Sequence, residues 1–160
     1  MAERWEEQVA AWVTEAHELR FEIAPGDQTQ TLTEIHSLLL AARGNLDRIE
    51  EILVSLVRMN GKAKQAVADH QNALGDAWDQ QAGGRNVSFS FSDPAPRERY
   101  AQYNQRTIHE TVEARQAERV HRQMETSLEA VRIMYRGLDS ARRDLETRIR
   151  LISLESALGG

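Results

Sequence analysis

From Leu32 to Ala77 one register of positions repeats without a break: Leu32, Ile35, Leu39, Ala42, Leu46, Ile49, Leu53, Leu56, Asn60, Ala63, Val67, His70, Leu74 and Ala77. Fourteen consecutive positions at alternating three- and four-residue steps predict a coiled-coil helix, because a 3.5-residue repeat keeps one stripe facing a neighbouring helix. Taken over 31–81, that helix is about 75 Å long. A stripe of that length needs a second long helix beside it. The same spacing predicts one over 95–158. Its seam is Tyr103, Thr107, Glu110, Ala114, Ala117, His121, Met124, Leu128, Val131, Tyr135, Leu138, Arg142, Leu145, Ile149 and Ile152.

Between the two lies a non-helical stretch, 82–94, with Gly83 and Gly84 as the stop and Asp93 before Pro94 as the next start. Folding about this tip loop sets Ile49 by Val131, Leu53 by Leu128 and Leu56 by Met124. A shorter helix over 2–24 carries Trp5, Val9, Trp12, Ala16, Leu19 and Ile23 on one face and stops at Pro25 and Gly26. Thr31 followed by Glu34 is a capping box that opens the second helix. The fold expected is all-α: an elongated antiparallel helical hairpin with a short N-terminal helix packed on its base, all in a single domain.

The stretch LVRMNGKAKQAV interrupts the seam with Asn60, Gly61 and two Lys. In the hairpin register Asn60 lies opposite His121 and His70 opposite Glu110, with small residues between them. These four residues read as polar layers that set register, since a buried polar pair penalises other alignments. Beside its seam the second helix has Leu38, Ile52 and Met59 on the adjoining heptad edge, wider than a two-stranded pair requires. The last helix ends in RIRLISLESAL, where Leu151, Leu154 and Leu158 extend the apolar surface around the axis. Both features predict an oligomer or docking surface, so the expected partner is protein: further copies of the chain or a larger assembly.

Val87, Phe89 and Phe91 alternate with serines in the tip loop. A period-two aromatic pattern in an otherwise helical chain predicts either a plug for the open hairpin end or a hook that pairs with a partner.

Charge separates the halves. Residues 1–96 carry 8 basic and 15 acidic side chains, and residues 97–160 carry 12 and 10. An acidic half facing a mildly basic one fits segments that pair with each other. The six Arg between 132 and 150 are interleaved with Asp139, Asp144 and Glu146, which argues against a phosphate-tracking surface and so against nucleic acid. The absence of Cys excludes thiol chemistry and Cys-ligated metals. Glu118 and His121 have the Glu-x-x-His spacing of di-metal bundles, but the pattern occurs once and the facing 58–62 stretch offers no carboxylate. There is no phosphate loop, nucleophile elbow or zinc-protease motif.

The reading is therefore a non-enzymatic structural or adaptor coiled-coil protein without cofactor or metal. The N-terminus lacks the charge order of a signal peptide and no apolar run is long enough for a membrane span. A cytoplasmic location is expected, or the virion if the chain is phage-encoded. Arg outnumbers Lys 18 to 2, a bias that GC-rich coding imposes and that points to an actinobacterial or phage setting.

One alternative comes from a resemblance. NALGDAWDQQAGG, with Trp78 at a helix end before glycines, together with Tyr135-Arg-Gly-Leu-Asp139, resembles the turn and export signal of small secreted helical hairpins of the WXG type. That resemblance implies an exported effector. The chain departs from the pattern at Gln80, where the family has Gly, and in its far longer helices. A nucleic-acid-associated helical protein is the other alternative.

Overall fold

The computed structural model describes residues 2–23, 30–85 and 94–159. All of these are helical except Ile23, Gln30, Thr31 and Gly159. The helices are α1 (Ala2–Glu22), α2 (Leu32–Arg85) and α3 (Pro94–Leu158). The expected all-α class is what the structure has.

Helix boundaries follow local chemistry. At the start of α2 the Thr31 amide donates to Glu34 Oε2 at 2.6 Å, and the Glu34 amide donates to Thr31 Oγ1 at 3.3 Å. This reciprocal box satisfies two amides that the first turn would leave open. Pro94 is the first residue of α3, where its fixed φ suits the helix and its missing N–H costs nothing. The other end of α2 differs from expectation. The helix continues through Gly83 and Gly84 to Arg85, because glycine weakens a helix by about 1 kcal/mol without blocking it as proline does.

Two compact units divide the chain. The first comprises Met1–Arg58 and Thr126–Gly160. Its largest fully buried side chains are Ile35, Ile49, Ile52, Leu56, Val131 and Leu138, each below 2% exposed. α1 contributes Val9, Ala16 and Ile23 to this core. It is fastened to α2 by polar contacts. Arg48 donates to both carboxylate oxygens of Glu15, at 2.7 and 3.1 Å. Asn45 Nδ2 donates to the Leu19 carbonyl and to Glu22, each at 3.0 Å. The Leu19 carbonyl is one of those a helix end leaves without an intrahelical donor. α1 meets α3 at Gly137: a Cβ there would lie 2.6 Å from Arg20 Nε, so the missing side chain is what lets the Arg20 side chain pass.

The second unit is Met59–Glu125, made of the middle and far end of α2 and the first half of α3. Met124 apart, its buried residues among those described are small or polar: Ala63, Ala77, Ala114, Gln81 and Thr107. Gln71 donates to Glu118 at 3.4 Å and Arg106 donates to Gln80 at 2.6 Å. Going up α2 thus means going down α3, and the two segments run antiparallel within this unit.

Candidate interaction surface

The apolar residues expected to face a partner fall into three groups. Ile52 is shut inside the first unit at 1% exposure. The reason is α1: Asn45, one heptad before Ile52 on the same edge, is bonded to α1. α1 thus lies against this edge of α2 at Asn45, and Ile52, buried within the first unit, offers nothing to an outside partner. Leu38 and Met59, on the same edge of the heptad, are half-buried.

Leu151, Leu154 and Leu158 form the second group and are open, at 53%, 59% and 87% exposure. They recur at steps of three and four, so they share one face of α3. Ile149 and Ile152, on the seam side, are half-buried. The end of α3 thus has an inner apolar face that is partly covered and an outer one that is not. Further large apolar side chains stand exposed outside the seam, among them Leu40, Val54 and Val57 on α2 and Ile133 on α3. Sequence reading missed these; their signal was an apolar residue at a heptad position away from the seam. The third group, Val87, Phe89 and Phe91 of the tip loop, lies outside the described residues.

The four polar seam residues all sit in the second unit. His70 Nδ1 approaches Glu110 Oε2 at 4.0 Å, an ion pair only when the imidazole is protonated. Asn60 and His121 are not hydrogen-bonded to each other: Asn60 Oδ1 and His121 Nε2 are both buried without a hydrogen-bond partner. His121 Nε2 does lie 3.5 Å from Glu125 Oε1 without making a hydrogen bond to it. A buried acceptor left open costs about 1–3 kcal/mol, so this layer lowers the stability of the unit that contains it. Gly61, in the same interrupted stretch, has open space where a Cβ would stand. Close approach of helices is therefore not what places a glycine there.

The Arg-rich part of α3 is a network of ion pairs. Arg142 reaches Asp139 at 2.8 Å and Glu146 at 2.7 Å. Arg143 takes the other oxygen of Asp139 at 2.9 Å, and Arg43 of α2 reaches Glu146 at 3.1 Å. Arg132 and Arg136 both approach Glu129. The hydrogen bond from Arg142 holds the Asp139 carboxyl below its ordinary value, with Arg143 adding to the effect. Glu146 is lowered first by its bond from Arg43 and then by Arg142. Glu15 is lowered by Arg48, whose own guanidinium is raised by the same bond. Guanidinium groups already committed to carboxylates make a poor surface for tracking phosphates. Asp139, the acidic member of the Tyr135–Asp139 motif, is tied into this network as well.

Among the described residues no three His, Cys, Asp or Glu side chains come together to hold a metal ion. None of the described helices is long and apolar enough to cross a membrane. Comparison with protein-family models, curated proteins and solved structures finds no match to this chain.

Proposed function

We propose that the chain is a non-enzymatic structural or adaptor protein. In this reading α2 and α3 form one elongated antiparallel hairpin with α1 on its base, and the protein acts by self-association or by docking into a larger protein assembly. The setting is the cytoplasm of an actinobacterium, or a phage particle. The observation that carries it is the open apolar face at the end of α3. Leu151, Leu154 and Leu158 are exposed together on a helix whose seam residues are buried or half-buried, and contiguous exposed apolar surface marks contact sites in soluble proteins. The antiparallel contacts within the second unit support the hairpin.

Sedimentation of the wild type and of a Leu154→Asp variant tests the reading, with circular dichroism to check that both remain helical. The wild type is expected to sediment above monomer mass or to co-purify with a stoichiometric protein. Leu154→Asp is expected to lose that association while keeping its helix content. A monomeric wild type that carries no partner, and that Leu154→Asp leaves unchanged, would overturn the proposal.

A further inference from the structure

We infer that the exposed end of α3 pairs with the same face of a second copy, the two helices antiparallel, Leu151 of each against Leu154 of the other. The inference rests on the proposed association reading and narrows it to one occupant and one orientation. It comes from the order of side chains around the helix.

At 100° per residue, Thr147, Leu151, Leu154 and Leu158 fall within an arc of about 60°. On one flank of that stripe lie Arg148 and Glu155; on the other lie Arg150 and Ala157. In an antiparallel pair like flanks meet. Centred between Ile152 and Ser153, that pairing stacks Leu151 on Leu154 and Thr147 on Leu158, each twice by symmetry. It also sets Arg148 beside Glu155 of the second copy, again twice. Arg148 already donates to Gln30 at 3.2 Å, and a guanidinium has five N–H donors with which to serve more than one acceptor. Asp144, the next residue along the stripe, stays outside the paired stretch.

A parallel pair fares worse. It continues the stripe onto Asp144 and sets that carboxylate against its own copy. It also brings Arg143 beside Arg148, a like-charge contact that offsets the one favourable contact, Arg150 with Glu155. Like charges facing each other suppress the wrong alignment as effectively as opposite charges favour the right one. The paired stretch is about three turns of helix per copy, smaller than a standard specific interface. The dimer is consequently weak and its population follows concentration.

The chain contains no cysteine, so single cysteines report orientation without background. Under mild oxidation, an equal mixture of Leu151→Cys and Leu154→Cys is expected to cross-link to mixed dimers faster than either variant alone. As a second reading of the same contact, Glu155→Arg is expected to weaken association about five- to tenfold, and adding Arg148→Glu to restore it. Faster cross-linking of each variant with itself would overturn the antiparallel orientation. A wild type that dimerises, while the cysteine variants fail to cross-link and the charge exchange has no effect, would overturn the site. A monomeric wild type that captures another protein through Leu154 would remove the homodimer and leave the adaptor reading standing.

Discussion

In the unit formed by Met1–Arg58 and Thr126–Gly160, three helices close over isoleucines and leucines that solvent does not reach. In the unit formed by Met59–Glu125, two helix segments meet through alanines, a methionine, a threonine and a glutamine. The sequence repeat is the same in both. What differs is the number of helices available to cover each seam position. Two helices shield only the middle of their contact, and a large apolar residue at its margin stays half in water. Among the described residues, the buried polar side-chain atoms without hydrogen-bond partners, Asn60 Oδ1, Gln81 Oε1 and His121 Nε2, all lie in the second unit. A heptad repeat therefore fixes which residues face a neighbour, and the third helix decides how dry that contact is.

The contrast predicts unequal costs for removing seam side chains. Leu138 is fully buried in the first unit, and Leu138→Ala is expected to destabilise the protein by about 2–5 kcal/mol through lost burial and the cavity left behind. Val67, half-buried in the second unit, should lose only about 1 kcal/mol on change to Ala, since less apolar area returns to water. Urea unfolding of both variants compares them. Equal losses at the two positions would break the distinction between a dry and a half-wet seam.

The polar layer gives the opposite sign. Replacing Asn60 and His121 together by Leu removes two buried polar atoms that have no hydrogen-bond partner. The double variant is expected to gain about 1–3 kcal/mol, the penalty such groups impose. The gain should come with looser specification of register, because apolar layers permit heptad slips that a polar layer resists. Thermal unfolding reads the first effect, and broadened or multiple amide resonances read the second. A destabilised double variant would mean that the layer is bonded in a way the structure does not have.

Much of this architecture is legible in the sequence, and the reasons are local. Every predicted seam position of α2 is buried or half-buried except Leu32, which is 40% exposed, because periodicity reports a face directly. The Thr31 and Glu34 cap was legible because both partners lie three residues apart. The pairing of Arg142 with Asp139 and Glu146 could be read from spacing for the same reason. Arg43 as a further partner of Glu146 could not, since that contact crosses helices and depends on register. Ile52 was misassigned on similar grounds: an apolar heptad edge announces that something covers it, without saying whether the cover is α1 or another molecule. Gly83 and Gly84 misled because glycine permits a turn without compelling one.

The smallest expected effect separates the units by charge. Glu15, Asp139 and Glu146, whose carboxyls are held low by guanidinium groups, all belong to the first unit. A carboxyl lowered in the folded chain binds its proton less readily there than in the unfolded chain. Its contribution is complete above the unfolded value of about 4 and is lost as pH falls through the lowered folded value, so stability rises with pH across that window. These pairs are solvent-accessible, and salt screens them. Arg142→Gln removes the group that bonds both Asp139 and Glu146. Below the folded values both carboxyls are neutral and the charge of Arg142 no longer matters to them. The variant should therefore be modestly less stable than the wild type at neutral pH, and the gap should close on acidification. Urea midpoints measured from pH 7 down to pH 2 follow the gap. A gap that persists unchanged at the acid end would assign the effect of Arg142 to packing of its aliphatic stem on the seam.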